Sequence, residues 1–295
     1  KLLFSMIGFV AIYIFYRTSV LLTKKKNHYF LWILILFPSL LIWTSRIGKE
    51  PLILLTISLY TYGLINWHIK RSTFYFFLIV IAFILTMHLR IWMGPVIALP
   101  LVFYFLYSKK DFVRLFFLGA TVIIMGLSSN HLAEKMKVTS TAHLIEELNF
   151  HASNKAKGGS AVKSDVGFRG ISGVAAFAPY GMFTVLFRPL PLDLSGPVGF
   201  LSGLEGLLLL FPSIRAIIRT KLIEIKDPIL AFAIVFILSW AFLYAFAGQN
   251  FGTIVRWKTQ ILPALIGLTL YLGQHRSEII KPFGSKSSNP ILSGN

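Results

Sequence analysis

The chain has 295 residues, of which 56% are hydrophobic and only 14% charged, with a formal net charge of +18 and no cysteine. A soluble domain carries about 25% charged residues, so a water-facing surface cannot be built from this composition. Disulfides and thiolate metal sites are excluded by the missing cysteine. The basic excess is scattered between apolar runs without a recognisable nucleic-acid module, which points to loop retention signals and not to nucleic acid.

Apolar runs of roughly 15–20 residues, enough to span bilayer hydrocarbon as a helix, recur along the chain. They lie at 2–22, 29–45, 51–67, 73–89, 91–107, 112–129, 195–212, 228–247 and 259–274. The expected fold is therefore all-α: a single polytopic transmembrane bundle over 1–295, with about nine spans. The run 171–188 is apolar enough to dip into the membrane or lie on it. Lys1 enters an apolar run at once, which fits a truncated N-terminus or a start left by a cleaved signal peptide.

Charge orients the spans. Lys24, Lys25 and Lys26 follow the first run, and Lys70 and Arg71 the third. Lys109, Lys110 and Arg114 follow the fifth; Arg215, Arg219, Lys221 and Lys226 follow the seventh; Arg276, Lys281 and Lys286 lie in the tail. Every second connection is the basic one, which places these segments inside and Lys1 outside. The long polar loop over 130–170 then lies outside. Its stretch SNKAKGGSAVKS reads as irregular, and TAHLIEELNFH before it as a short amphipathic interfacial helix.

Retention signals do not explain the cations of the outer face: Arg46, Lys49, Arg90, Arg188, Arg256 and Lys258, with His88 beside them. Charges next to a low-dielectric slab must pair, reach headgroups or bind an anionic ligand, and arginine grips phosphate with parallel hydrogen bonds. These residues fall in local patterns. WTSRIGKEP carries Arg46, Lys49 and Glu50 in an outer turn around Gly48. MHLRIWMGP is either a re-entrant element or a plain tight turn. FRPLPLD presents Arg188 and Asp193 on a proline-stiffened hairpin, and Glu205 falls inside the next span. GQNFGTIVRWKTQ offers Gln249 and Asn250 as partners for sugar hydroxyls, and Arg256, Lys258 and Gln260 enter the last span together. Glu50, Asp193 and Glu205 are the candidate general bases, unranked. His131, His143 and His151 show no ligand spacing, and no metal or cofactor is called for.

The phrases WTSRIGKEPLILLTISLYTYG, GGSAVKS, LFRPLPLDLSG, GLEGLLLL and RWKTQILP resemble bacterial O-antigen and exopolysaccharide polymerases of the Wzy and EpsG type, over most of residues 37–265. The resemblance implies glycosyl transfer at the outer face of the bacterial inner membrane. A glycan on polyprenyl pyrophosphate would pass to a lipid-linked repeat unit, with external arginines holding the pyrophosphate. It also implies company with other polysaccharide export proteins. An Arg followed after ten residues by Gly, a spacing of such loops, occurs at Arg188 to Gly199 and at Arg256 to Gly267. The loop is shorter than in many polymerases, and the second match runs into a span. Three other classes remain open: a GT-C-type transferase using polyprenyl-phosphate sugar, with its acid in the first external loop, a transporter or flippase of an anionic lipid or solute, and a non-catalytic membrane scaffold.

Overall fold

A computed structural model describes residues 1–108, 140–155, 160–162, 168–248 and 250–273, with isolated positions between 119 and 134. The described residues form α-helices and no strand. In chain order they are α1 (Leu2–Thr23), α2 (His28–Leu36), α3 (Pro38–Thr44), α4 (Lys49–Lys70), α5 (Thr73–Leu89) and α6 (Met93–Tyr107). Then come α7 (Thr141–Lys155), α8 (Gly170–Phe187), α9 (Gly196–Arg219), a 3-10 turn (Leu222–Lys226), α10 (Pro228–Ala245), α11 (Phe251–Lys258) and α12 (Leu262–Gly273).

Among them α1, α4, α8, α9 and α10 are long and apolar enough to cross a membrane, while α5, α6 and α12 are shorter apolar helices. Chain chemistry sets the ends. Asp227 accepts from the amides of Ile229 and Leu230 and is followed by Pro228 at the first helical position of α10. Asn27 caps α2 in the same way through Phe30.

The run 29–45 is not one helix. Pro38 has no amide to donate and drives Phe37 into extended backbone, so α2 stops and α3 restarts. The amide of Ser39, in the first turn of α3, becomes free for a partner elsewhere. The run 171–188 is the continuous helix α8, whose second half lies against the C-terminal end of α10. Phe168 packs edge-on against Phe246, and Gly181 and Val185 lie against Ala245 and Gly248. The amphipathic helix expected over 141–151 is present as α7, anchored by Asn149, whose side chain accepts from the Phe168 amide and donates to its carbonyl. Most of 112–129 lies outside the described residues, as do parts of the loop 130–170, His131 among them, and the C-terminal basic tail.

Helix pairing sorts the connections into two groups at opposite ends of the bundle. Alpha-4 rises about 33 Å over its length, from Lys49 to Lys70. At its far end His68 meets Tyr104 of α6 through a 2.9 Å contact, and Arg219 of α9 donates to the Gly273 carbonyl of α12. At its near end lie the 45–49 and 90–92 turns, the 188–195 hairpin and the 246–261 segment. Between them a large apolar core of α1, α4, α6, α10 and α12 packs around Tyr60, whose buried hydroxyl donates to the Ile97 carbonyl.

Candidate functional site: a buried arginine cluster at one end of the bundle

The segment MHLRIWMGP folds as a tight turn: Met93 and Gly94 donate their amides to the carbonyls of Arg90 and Ile91. This turn puts Arg90 at the C-cap of α5, pointing into the protein and not into solvent. Glu50 occupies the first turn of α4, where the helix dipole favours a carboxylate, and it too is buried. A Cβ at Gly48 would stand 2.9 Å from Glu50 Oε2, so glycine leaves room for this carboxylate.

Two guanidinium groups converge on Glu50. Arg90 Nη2 donates to Oε1 at 2.8 Å, and Arg256 Nε, from α11, donates to the same oxygen at 2.7 Å. Arg90 and Glu50 are almost fully enclosed, whereas the Arg256 side chain is 43% exposed. Burying an isolated charge is costly, so sharing the carboxylate is what makes Arg90 tolerable there. The trio still carries one positive charge in excess.

An aromatic and amide network supports it. Arg90 Nη1 and Trp92 Nε1 both donate to the Tyr244 hydroxyl, which donates on to Gln260 Oε1 at 3.2 Å. Trp240 Nε1 donates to the same Gln260 oxygen at 3.1 Å. Trp257 packs 4.9 Å from the Tyr244 ring and lies beneath Arg90. Trp43 lies beneath both Arg46 and Arg256, so it links the exposed Arg46 to the buried group.

A second cluster adjoins the first. Arg188 grips Asp193 with both Nε and Nη2, and its Nη1 donates to the Tyr180 hydroxyl. The Leu190 amide donates to Asp193 as well. Burial pushes the Asp193 carboxyl up, but the hydrogen bonds from Arg188 and Leu190 outweigh it and leave the group below its ordinary value. The Arg188 guanidinium is raised, chiefly by its hydrogen bond to Asp193. Lys258, fully buried, donates to the Arg188 carbonyl at 2.8 Å. Glu205, in α9, accepts from the amide of Ser39 at 2.6 Å and from its hydroxyl, using the donor freed by the Pro38 break. Gly203 and Gly206 flank it because the hairpin lies directly on α9: a Cβ on Gly206 would stand 2.3 Å from the Phe187 carbonyl oxygen.

The structure thus brings Glu50, Arg90 and Arg256 together, joins Arg188 to Asp193 and Lys258, and sets Glu205 on Ser39. Arg46, Lys49 and His88 are exposed at the same end. Asn250 serves α11 as its N-cap, accepting from the Thr253 amide and the Ser160 hydroxyl. Gln249 lies outside the described residues. Among the described residues no group of three or more His, Cys, Asp or Glu side chains stands close enough to hold a metal ion. Sequence reasoning set Gln260 beside Arg256 and Lys258 without giving it a role, and missed Trp43, Tyr244 and Ser39 as members of the site. The available signal was polar side chains inside apolar runs, which need partners when buried.

No protein-family model, curated protein or solved structure matches the chain. The functional reading therefore rests on this geometry and on the residues themselves.

Proposed function

We propose that the Glu50 end of the bundle binds the phosphate or pyrophosphate of a polyprenyl-linked oligosaccharide. In this reading the chain is a polysaccharide polymerase of the O-antigen or exopolysaccharide type, in the bacterial inner membrane. The Glu50 end faces outward, the basic end faces the cytoplasm, and nine spans cross the bilayer. The observation that carries the reading is the sharing of one buried carboxylate by Arg90 and Arg256. It leaves a fixed excess of positive charge with one guanidinium half in the open, a pre-organised seat for a further anion.

The chemistry follows from that seat. An acceptor sugar hydroxyl attacks the anomeric carbon of the donor glycan, and the bond from that carbon to pyrophosphate breaks. The pyrophosphate leaves with the electron pair, and Arg256 and Arg90, with Arg188 and Arg46 nearby, stabilise its developing charge. The proton of the attacking hydroxyl passes to a carboxylate at this end, Glu50, Asp193 or Glu205. Glu50 also has an orienting role, since its Oε1 accepts from both guanidinium groups. The gathering of these cations at one end, and not along a path through the bundle, favours this reading over transport.

The test is single replacement of Arg46, Arg90, Arg188 and Arg256 by Ala in the native host, with membrane expression confirmed and the surface glycan resolved on a gel. Loss of long polymer with single repeat units still exported is the expected result. Unchanged chain length in all four variants would remove the arginine seat and return weight to a transporter. Loss of the single unit itself would assign an earlier step, such as a GT-C-type transfer.

A further inference from the structure

Gln260 lies in the turn between α11 and α12 and is fully buried. Its carboxamide orientation is decided by chemistry: Trp240 Nε1 can only donate, so the atom it meets is the amide oxygen. That oxygen also receives the Tyr244 hydroxyl. The amide nitrogen is left with no hydrogen-bond partner among the described residues. A buried donor without an acceptor costs on the order of 1–3 kcal/mol, so a fold that keeps one beside a charged cluster has an absent acceptor to explain.

The surroundings say what kind of acceptor fits. The Gln260 oxygen is one hydrogen bond from Tyr244, and Tyr244 is one hydrogen bond from Arg90. Arg90 in turn shares Glu50 with the half-exposed Arg256. A neutral amide donor beside guanidinium groups with a surplus positive charge suits an anionic oxygen. Resting on the reading of this end as a phosphate seat, we propose that the Gln260 amide donates to a phosphoryl oxygen of the lipid-linked substrate. Tyr244 holds that amide in register with Arg90. Gln260 is then a binding residue, and Tyr244 and Trp240 are positioning residues.

The experiment is binding of polyprenyl pyrophosphate, against the matching polyprenol without phosphate, to the purified full chain in detergent. Wild type is compared with Gln260→Glu, Gln260→Met and Arg256→Ala, and thermal unfolding confirms that each is folded. Glu keeps the oxygen that Trp240 and Tyr244 need and removes the donor; Met removes the donor without adding charge. About tenfold weaker pyrophosphate binding in both, near 1.4 kcal/mol, with polyprenol binding unchanged, is the expected result. Wild-type affinity in the Met variant, or a loss confined to Glu, would overturn the assignment and leave a buried water as the partner of the amide. If the Met variant does not fold, the Glu variant is read again at high salt: a persistent loss supports direct contact, and a screened one overturns it. Weakening in Arg256→Ala alone removes the role of Gln260 and spares the phosphate seat. Equal wild-type binding of polyprenyl pyrophosphate and polyprenol removes both.

Discussion

The two ends of the bundle handle positive charge in opposite ways. At the Lys70 end, Lys24, Lys25, Lys26, Lys70, Arg71, Arg215, Arg219, Lys221 and Lys226 are all exposed. Their contacts are peripheral: Lys70 lies over Tyr75, Arg71 over Trp67, and Arg219 meets a helix-end carbonyl. At the Glu50 end Arg46 and Lys49 stay exposed, but Arg90, Arg256, Arg188 and Lys258 are drawn inward, onto Glu50, onto Asp193 and onto the Arg188 carbonyl. Exposed charges of the first kind contribute little to stability and much to orientation in a membrane. Buried charges of the second kind are held by partners that cannot be removed singly.

The sharpest test of that contrast is Glu50→Gln. It leaves Arg90 enclosed without a counter-charge, and breaking a buried pair costs about 3–5 kcal/mol. Thermal unfolding in detergent should show a large fall in Tm or no folded protein; a wild-type midpoint would break the comparison. Next comes Gly206→Ala, whose methyl group would press on the Phe187 and Pro189 carbonyls and cost about 1–3 kcal/mol. Gly273→Ala, where nothing stands within 4 Å, should leave the same midpoint unmoved.

Asp193→Asn gives a smaller effect that depends on pH. The folded carboxyl lies below its ordinary value, so the stabilisation from Arg188 is complete above the unfolded range near pH 4 and disappears as pH falls through the folded value. Wild type should lose stability on acidification where the Asn variant shows a flatter profile; parallel profiles would mean the pair contributes nothing. Among the charge replacements the smallest effect belongs to Arg71→Ala or Lys25→Ala, which should change stability by no more than about 0.5 kcal/mol.

Much of the fold was legible because bilayer thickness imposes a length on helices and the positive-inside pattern sorts their ends. The run 73–89 coincides with α5, and 2–22 falls within α1. Pro38 was equally visible, but a hydropathy run does not register the break it makes. The clusters were half legible. Arg90, Arg188 and Arg256 stood out as cations out of place, and Arg188 and Asp193 are near neighbours in a stiff turn. Glu50 with Arg256, and Glu205 with Ser39, are contacts across 206 and 166 residues, which no local pattern encodes. Gln260 stands in the same pattern as Arg256 and Lys258, but its significance is a missing acceptor, and only a packed interior reveals one.

Those sequence separations also give the site an order of birth. Arg90 is only 40 residues after Glu50, on the helix that pairs directly with α4, so the first half of the cluster can enter the bilayer as one hairpin with its charges already joined. Arg256 reaches the same oxygen only after nearly the whole described chain has been made. The nascent protein can therefore shelter its buried carboxylate early, while the surplus positive charge of the trio appears only once α11 has been made.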